Sequence, residues 1–179
     1  MNSIFENLPV DADQLPKVEN IEFKPIERKY LKVSLWVSSI FWSILFIGVG
    51  ISLFFAEVDN PVLLYVLALG PILLLALSNT ILTIKGFRKK KYALRQRDII
   101  YTKGLLWSVR TAIPFNRIQH AELKQGPVER IFGLHSLKIF TAGGQTSDLV
   151  IPGLREEVAQ SIKDFILGKT AEDGREEPS

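Results

Sequence analysis

The 179 residues contain no cysteine, two histidines and one methionine. The missing cysteine excludes a disulfide framework, a thiolate metal site and a cysteine nucleophile together. The histidines, His120 and His135, stand fifteen positions apart and could ligate a metal only with carboxylates brought from elsewhere in the fold, so ordinary surface or half-buried roles are favoured. No Gly-x-Ser-x-Gly is present. Gly168-Lys169-Thr170 has the ending of a phosphate-binding loop, but Lys163 occupies the position of its first glycine, and the stretch follows a helical pattern where such a loop should precede one. The sequence supplies no cofactor site and no supported active centre, and a non-enzymatic role is expected.

Charge is also missing, and that absence is the most informative. Residues 33–55 and 61–84 contain no Asp, Glu, Lys or Arg. At about 1.5 Å rise per residue, each run covers a hydrocarbon core of ~30 Å. Only residues 56–60 separate them, which predicts two transmembrane helices in a tight antiparallel hairpin. Pro61 suits a helix start, where its missing N–H would have no partner in any case. A cleaved signal peptide does not account for the first run, which begins after thirty-two residues that include several acids and is too long and too aromatic. Within the second run, Pro71 predicts a kink near Gly70, and Asn79 offers an amide for a hydrogen bond between the helices.

The charges that are present give the hairpin a direction. The connecting loop holds Glu57 and Asp59 and no basic residue. Lys24, Arg28, Lys29 and Lys32 precede the first span, and Lys85, Arg88, Lys89, Lys90 and Lys91 follow the second. Because retained loops carry the excess of Lys and Arg, both termini are expected in the cytoplasm, with the spans in the inner membrane. Tyr30, Trp36 and Tyr92 fall near the same interface, where amphipathic rings are favoured.

From Tyr92 onward, short alternating or β-branched stretches are divided by glycine and turn signals, as in a meandering antiparallel sheet. Strands are predicted at 91–95, 98–103, 108–114, 118–124, 137–141 and 147–151, with turns at Gly104 and at Gly143-Gly144 and a short helical turn within 126–133. Leu154, Val158, Ile162, Phe165 and Ile166 recur at helical spacing and predict an amphipathic helix that Gly168 ends. The expected division is an N-terminal segment 1–32, spans 33–55 and 61–84 about the loop 56–60, a cytoplasmic domain 85–168 and a disordered tail 169–179.

This order of elements resembles the bacterial membrane proteins with a pleckstrin-homology-like domain, the YdbS-like group. The local matches are Tyr92-Ala-Leu-Arg95, Gly104-Leu-Leu, Ile113-Pro-Phe-Asn-Arg-Ile-Gln119, Gln125-Gly-Pro-Val-Glu-Arg-Ile-Phe-Gly-Leu134 and Ile151-Pro-Gly-Leu154. The third and fourth are the most specific, because strand alternation does not dictate their Pro, Asn and Gly positions. The resemblance implies an α-helical membrane hairpin joined to a pleckstrin-homology-like antiparallel barrel closed by a C-terminal helix. It implies little about activity, because one fold serves many ligands.

Two sets of residues are candidates for binding. Arg88, Lys89, Lys90, Lys91, Arg95 and Arg97 form a basic junction beside the bilayer. Topology alone accounts for them, but such a cluster also attracts anionic lipid at about 1 kcal/mol per residue. Leu105, Leu106 and Trp107, with Val128, Ile131 and Phe132, lie in predicted turns, where they either plug the ends of the barrel or, if exposed, contact a partner. The leading expectation is a membrane-anchored adaptor that binds a membrane-protein partner or itself through the domain. The alternative is a sensor of anionic headgroups. Nucleic acid is not expected, because the basic cluster hugs the membrane and has no reading motif.

Overall fold

The computed structural model describes residues 21–56, 60–142 and 148–173. The expectations for residues 1–20, for Glu57 and Asp59 in the loop, and for the turn at Gly143-Gly144 lie outside the described residues.

Two long helices come first, α1 (Lys29–Phe54) and α2 (Pro61–Phe87). Both are long and apolar enough to cross a membrane, and their most apolar windows bury nothing inside the chain. Asn60 caps α2 by accepting a hydrogen bond from the Leu63 N–H at 3.1 Å, with Pro61 next in line. The helix continues unbroken through Pro71. Ser38 Oγ donates to Asn79 Oδ1 at 2.6 Å across the hairpin, the bond between helices that Asn79 led us to expect.

The domain consists of two antiparallel sheets and a helix. β1 (Lys24–Pro25), β2 (Lys91–Leu94), β3 (Asp98–Lys103) and β4 (Val109–Pro114) form the first sheet in that order. A 3-10 turn, Phe115–Arg117, leads to β5 (Ile118–Lys124). After the short helix α3 (Pro127–Ile131) come β6 (Leu134–Thr141) and β7 (Leu149–Arg155), which complete a second sheet in the order β5-β6-β7. Helix α4 (Glu156–Asp173) packs across β5, β6, β7 and the 3-10 turn. Among the described residues no strand pairing joins the two sheets, which face each other across one shared core in place of the closed barrel expected. Ile99, Tyr101 and Phe115 meet Leu137, Ile139 and Ile151, and Ala159, Ile162 and Ile166 of α4 cover them at helical spacing.

Several boundaries differ from expectation: β6 begins at Leu134, three residues before the predicted 137, and three further differences shape the domain. The segment before the first span is built into the domain, since β1 pairs Lys24 with Tyr92 and Pro25 with Lys91, and Ile26 is buried in the core. A two-residue strand is too short to show a period in the sequence. The strand read as ending before Pro152 continues to Arg155. β7 is a sheet edge, where proline costs no ladder bond, and Gly153 at φ +68° accommodates the irregular register opposite His135–Leu137. This moves Leu154 from the predicted helix face to a buried strand position. Finally, α4 passes through Gly168 to Asp173, so the disordered tail does not begin at 169. One glycine costs a helix only about 1 kcal/mol. Thr170 ties the last turns down by donating from Oγ1 to the Ile166 carbonyl at 3.0 Å and lying 3.3 Å from the Phe115 carbonyl.

Candidate membrane-junction site

The sheet register fixes which end of the domain meets the hairpin. Lys91 opens β2 with only three residues between it and the end of α2, and it pairs with Thr102, so β2 runs away from the hairpin and β3 returns to it. The Arg95–Arg97 turn is therefore at the far end, about 13 Å from Lys91 at strand spacing. Arg95 Nε is paired with Asp98 Oδ1 there at 2.8 Å, and Arg97 is exposed.

The junction itself has two sides. On one, Tyr30 in the first turn of α1 lies against Gly153. A Cβ at Gly153 would fall 2.5 Å from that of Tyr30, so glycine is required both for contact and for backbone conformation. The Glu27 N–H donates to the Gly153 carbonyl at 2.9 Å, and Arg155 Nε donates to Glu27 Oε1 at 2.8 Å. Lys90 Nζ sits 4.9 Å from the centre of the Tyr30 ring, and burial, helped by the nearby Lys103, pushes the Lys90 amine below its usual range. Lys90 thus belongs to a structural clasp that binds the start of α1 to β2 and β7.

The other side is a cationic pocket of about 570 Å³. Lys85, Arg88 and Lys89 of the α2 terminus, Lys91 of β2 and Arg110 of β4 line it, with Phe23, Thr102, Leu105 and Ser108 completing the wall. Among the described residues no acidic side chain lines it, and none of these five basic side chains enters an ion pair. Thr102 Oγ1 holds the strand crossing in place by donating to the Lys91 carbonyl at 3.2 Å. The guanidinium of Arg110 lies 5.4 Å from the centre of the Phe23 ring, which orients it while leaving its N–H groups available.

Of the six basic candidates, Arg88, Lys89 and Lys91 meet in this pocket, while Lys90, Arg95 and Arg97 lie elsewhere. Arg110 was not foreseen. Its one sequence signal was a basic residue in an alternating strand, and only the β3–β4 register, Thr102 opposite Arg110, brings it to the junction.

The apolar candidates also divide. Leu105 packs inward, its Cβ 4.0 Å from where a Cβ on Gly86 would stand, whereas Leu106 and Trp107 are exposed. Gly104, at φ +99°, makes the turn possible, because a side chain there would run into the Trp107 carbonyl. Val128 and Phe132 are half-buried, and Ile131 is exposed on α3, which packs against α1.

The polar residues of the Gln125–Leu134 motif are tied to one another. Glu129 accepts from the Gly126 N–H at 2.8 Å and from Ser136 Oγ at 2.7 Å, and Gln125 Nε2 donates to the Leu134 carbonyl at 3.1 Å. His120 stacks on Phe140, 4.2 Å between ring centres, and is paired with it across the sheet. His135 is five residues from Phe140 along β6, about 17 Å, so the histidines do not meet. Among the described residues, no three His, Asp or Glu side chains gather where a metal could bind.

The family model for the bacterial PH domain matches residues 33–170, spanning both apolar helices and nearly all of the two-sheet domain. The chain belongs to the bacterial PH domain family. The resemblance seen in the local motifs is thereby borne out, and the fold is a pleckstrin-homology-like domain carried on two transmembrane helices. The UPF0699 transmembrane protein YdbS of Bacillus subtilis (strain 168) is 32% identical over 100 residues, which are 55% of this chain and 61% of that protein, so the match spans about three-fifths of the relative's length. A crystallised DUF1696 family protein with a pleckstrin-homology domain from Shewanella loihica PV-4 aligns over 45% of this chain and 70% of its own, at a TM-score of 0.35 and 16% identity.

Proposed function

We propose that this bacterial PH domain protein is a non-enzymatic membrane module that holds anionic phospholipid headgroups in the cationic pocket at its membrane junction. The observation that carries the reading is Arg110. Lys85, Arg88, Lys89 and Lys91 flank a span and are accounted for by topology. Arg110 arrives from β4, where no topological rule requires a charge, and completes the same pocket. Phosphate is the matching ligand, because it accepts several charge-assisted hydrogen bonds and the pocket offers basic donors without a competing carboxylate among the described residues. The excess of basic residues on the domain side of both spans supports a cytoplasmic domain at the inner membrane, with both termini inside.

The test uses the full-length protein in neutral micelles containing equal amounts of phosphatidylglycerol and phosphatidylcholine, with retained lipid counted by native mass spectrometry. Phosphatidylglycerol should be retained in excess. Arg110→Gln should weaken that retention about fivefold, the equivalent of ~1 kcal/mol. Equal retention of the two lipids, or no change in the variant, would remove the reading.

A second reading, the adaptor, is favoured by a different feature. A cleft of about 830 Å³ lies between β2 and α4, lined in part by Ala93, Leu94, Val158 and Ile162. Among the described residues, β1 pairs with only the first two residues of β2, so the rest of that edge faces the cleft. A strand-like segment of a membrane-protein partner, or of a second copy, suits such an edge. A photo-crosslinker at Leu94 should then capture protein in cells, and lipid adducts alone would count against it.

A further inference from the structure

Trp107, Ile131 and Leu106 are the most exposed large apolar side chains of the domain, at 81, 78 and 73%. They come from segments far apart in sequence, yet each segment abuts one of the membrane helices. The turn carrying Leu106 and Trp107 follows Leu105, which packs at Gly86, two residues beyond the uncharged run of α2. At helical rise this contact lies about 3 Å past the end of the hydrocarbon-spanning segment, at the headgroup level. Ile131 ends α3, which packs against α1. The second turn of α1 holds Val33, the hairpin's only buried residue among those described.

We infer that the turn at Leu106-Trp107 and the end of α3 at Ile131 dip into the bilayer interface on either side of the hairpin, so that the domain stands on two apolar feet as well as on its helices. Continuity with the spans identifies the occupant: a surface joined to both helices at headgroup depth meets lipid before it meets anything else. The chemistry agrees. Tryptophan favours this depth, where its ring is buried in the interface and its indole N–H finds polar partners. Leucine and isoleucine at 73 and 78% exposure lose a favourable transfer term if they face water. Lys85 and Lys89, which line the cationic pocket together with Leu105 of the same turn, match the headgroup layer into which the feet would reach. The contact needs apolar depth and not anionic lipid, so it goes beyond headgroup binding in the pocket.

Because the chain has no cysteine, single substitutions give site-specific probes without altering the background. Trp107→Cys, Ile131→Cys and, at the far turn, Gln96→Cys are each labelled with an environment-sensitive fluorophore in the full-length protein. The labelled proteins are reconstituted into phosphatidylcholine vesicles containing lipid with a nitroxide near the headgroup. All three positions are exposed, so the core is left intact. Probes at 107 and 131 should emit at shorter wavelength and be quenched at least about twofold more than the probe at 96, as expected for insertion a few ångströms below the headgroups. Equal quenching at all three positions overturns the inference. So does shielding at 107 that vanishes at one copy per vesicle, which would assign the surface to a second copy. Quenching in wholly neutral lipid supports the feet even if phosphatidylglycerol proves not to be selected by the pocket, so the two readings fail separately.

Discussion

In the hairpin, Ile44, Leu67 and Leu74 turn 64–67% of their surface outward, whereas Ile99, Leu137 and Ile139 in the domain expose none. The residue types are the same and the surroundings are opposite. In the domain, transfer from water to a packed interior supplies the drive to fold. In the hairpin that transfer is completed by entering lipid, and the two helices gain only what packing and a few polar contacts provide. Ser38 and Asn79 are one such contact, and among the described residues Val33 is the single fully buried hairpin side chain, with Tyr30 and Phe87 at the hairpin's base packed against the domain core. One consequence is that the domain should be sensitive to lost volume, and the hairpin to lost polarity at a single place.

The sharpest way to break the comparison is a matched pair of truncations. Leu137→Ala should cost the domain about 2–5 kcal/mol, while Leu74→Ala should cost the protein less than about 0.5 kcal/mol. Denaturant unfolding in micelles, followed by protection of the domain's amides, would measure both, and similar losses would remove the distinction. Next in size is the clasp between the two regions. Gly153→Ala introduces both a steric conflict with Tyr30 and an unfavourable backbone conformation, an expected loss of about 1–3 kcal/mol. Hydrogen exchange should then rise in the first turn of α1 and at the end of β7 while the far turn at Arg95–Arg97 stays protected as before.

A pH titration sharpens the contrast further. Burial raises the phenol of Tyr101, and burial together with Glu27 raises that of Tyr92. A raised folded-state value means that the unfolded chain ionises first, near pH 10, so stability present below that pH is lost as pH rises. The loss between pH 10 and 11 should be about 1 kcal/mol for Tyr101, and that part should vanish in Tyr101→Phe while the part due to Tyr92 remains. The smallest effect belongs to the hairpin. A double-mutant cycle of Ser38→Ala with Asn79→Ala should give a coupling of about 0.6 kcal/mol, typical of hydrogen bonds between membrane helices. A coupling as large as the Leu137→Ala cost would mean that polar contacts, not lipid, hold the hairpin together.

Particular residues show how far the sequence could be read. The spans were legible because the absence of charge over 33–55 and 61–84 is a continuous local property. β3 and β5 were legible to the residue because turns bound them on both sides. β1 was not, because two residues carry no period, and neither was the reach of α4 past Gly168, which depends on Thr170 meeting a distant turn. The basic run was visible as a cluster, but its partition was hidden. Nothing local says that Lys90 turns toward Tyr30 while Lys89 and Lys91 face Arg110.

What the sequence determined alone is therefore whatever rests on one stretch of chain: two membrane-spanning helices, their polarity of charge, the turns and most strands, and membership of a family with a pleckstrin-homology-like domain. The tertiary structure decided what depends on register. It separated the structural clasp at Tyr30 and Gly153 from the open cationic pocket, and it brought Arg110 and the Leu106-Trp107 turn to the membrane end. The physical reason is that a strand's side-chain period specifies a face, whereas pairing with a neighbour specifies a position along it, and no single strand contains its own partner.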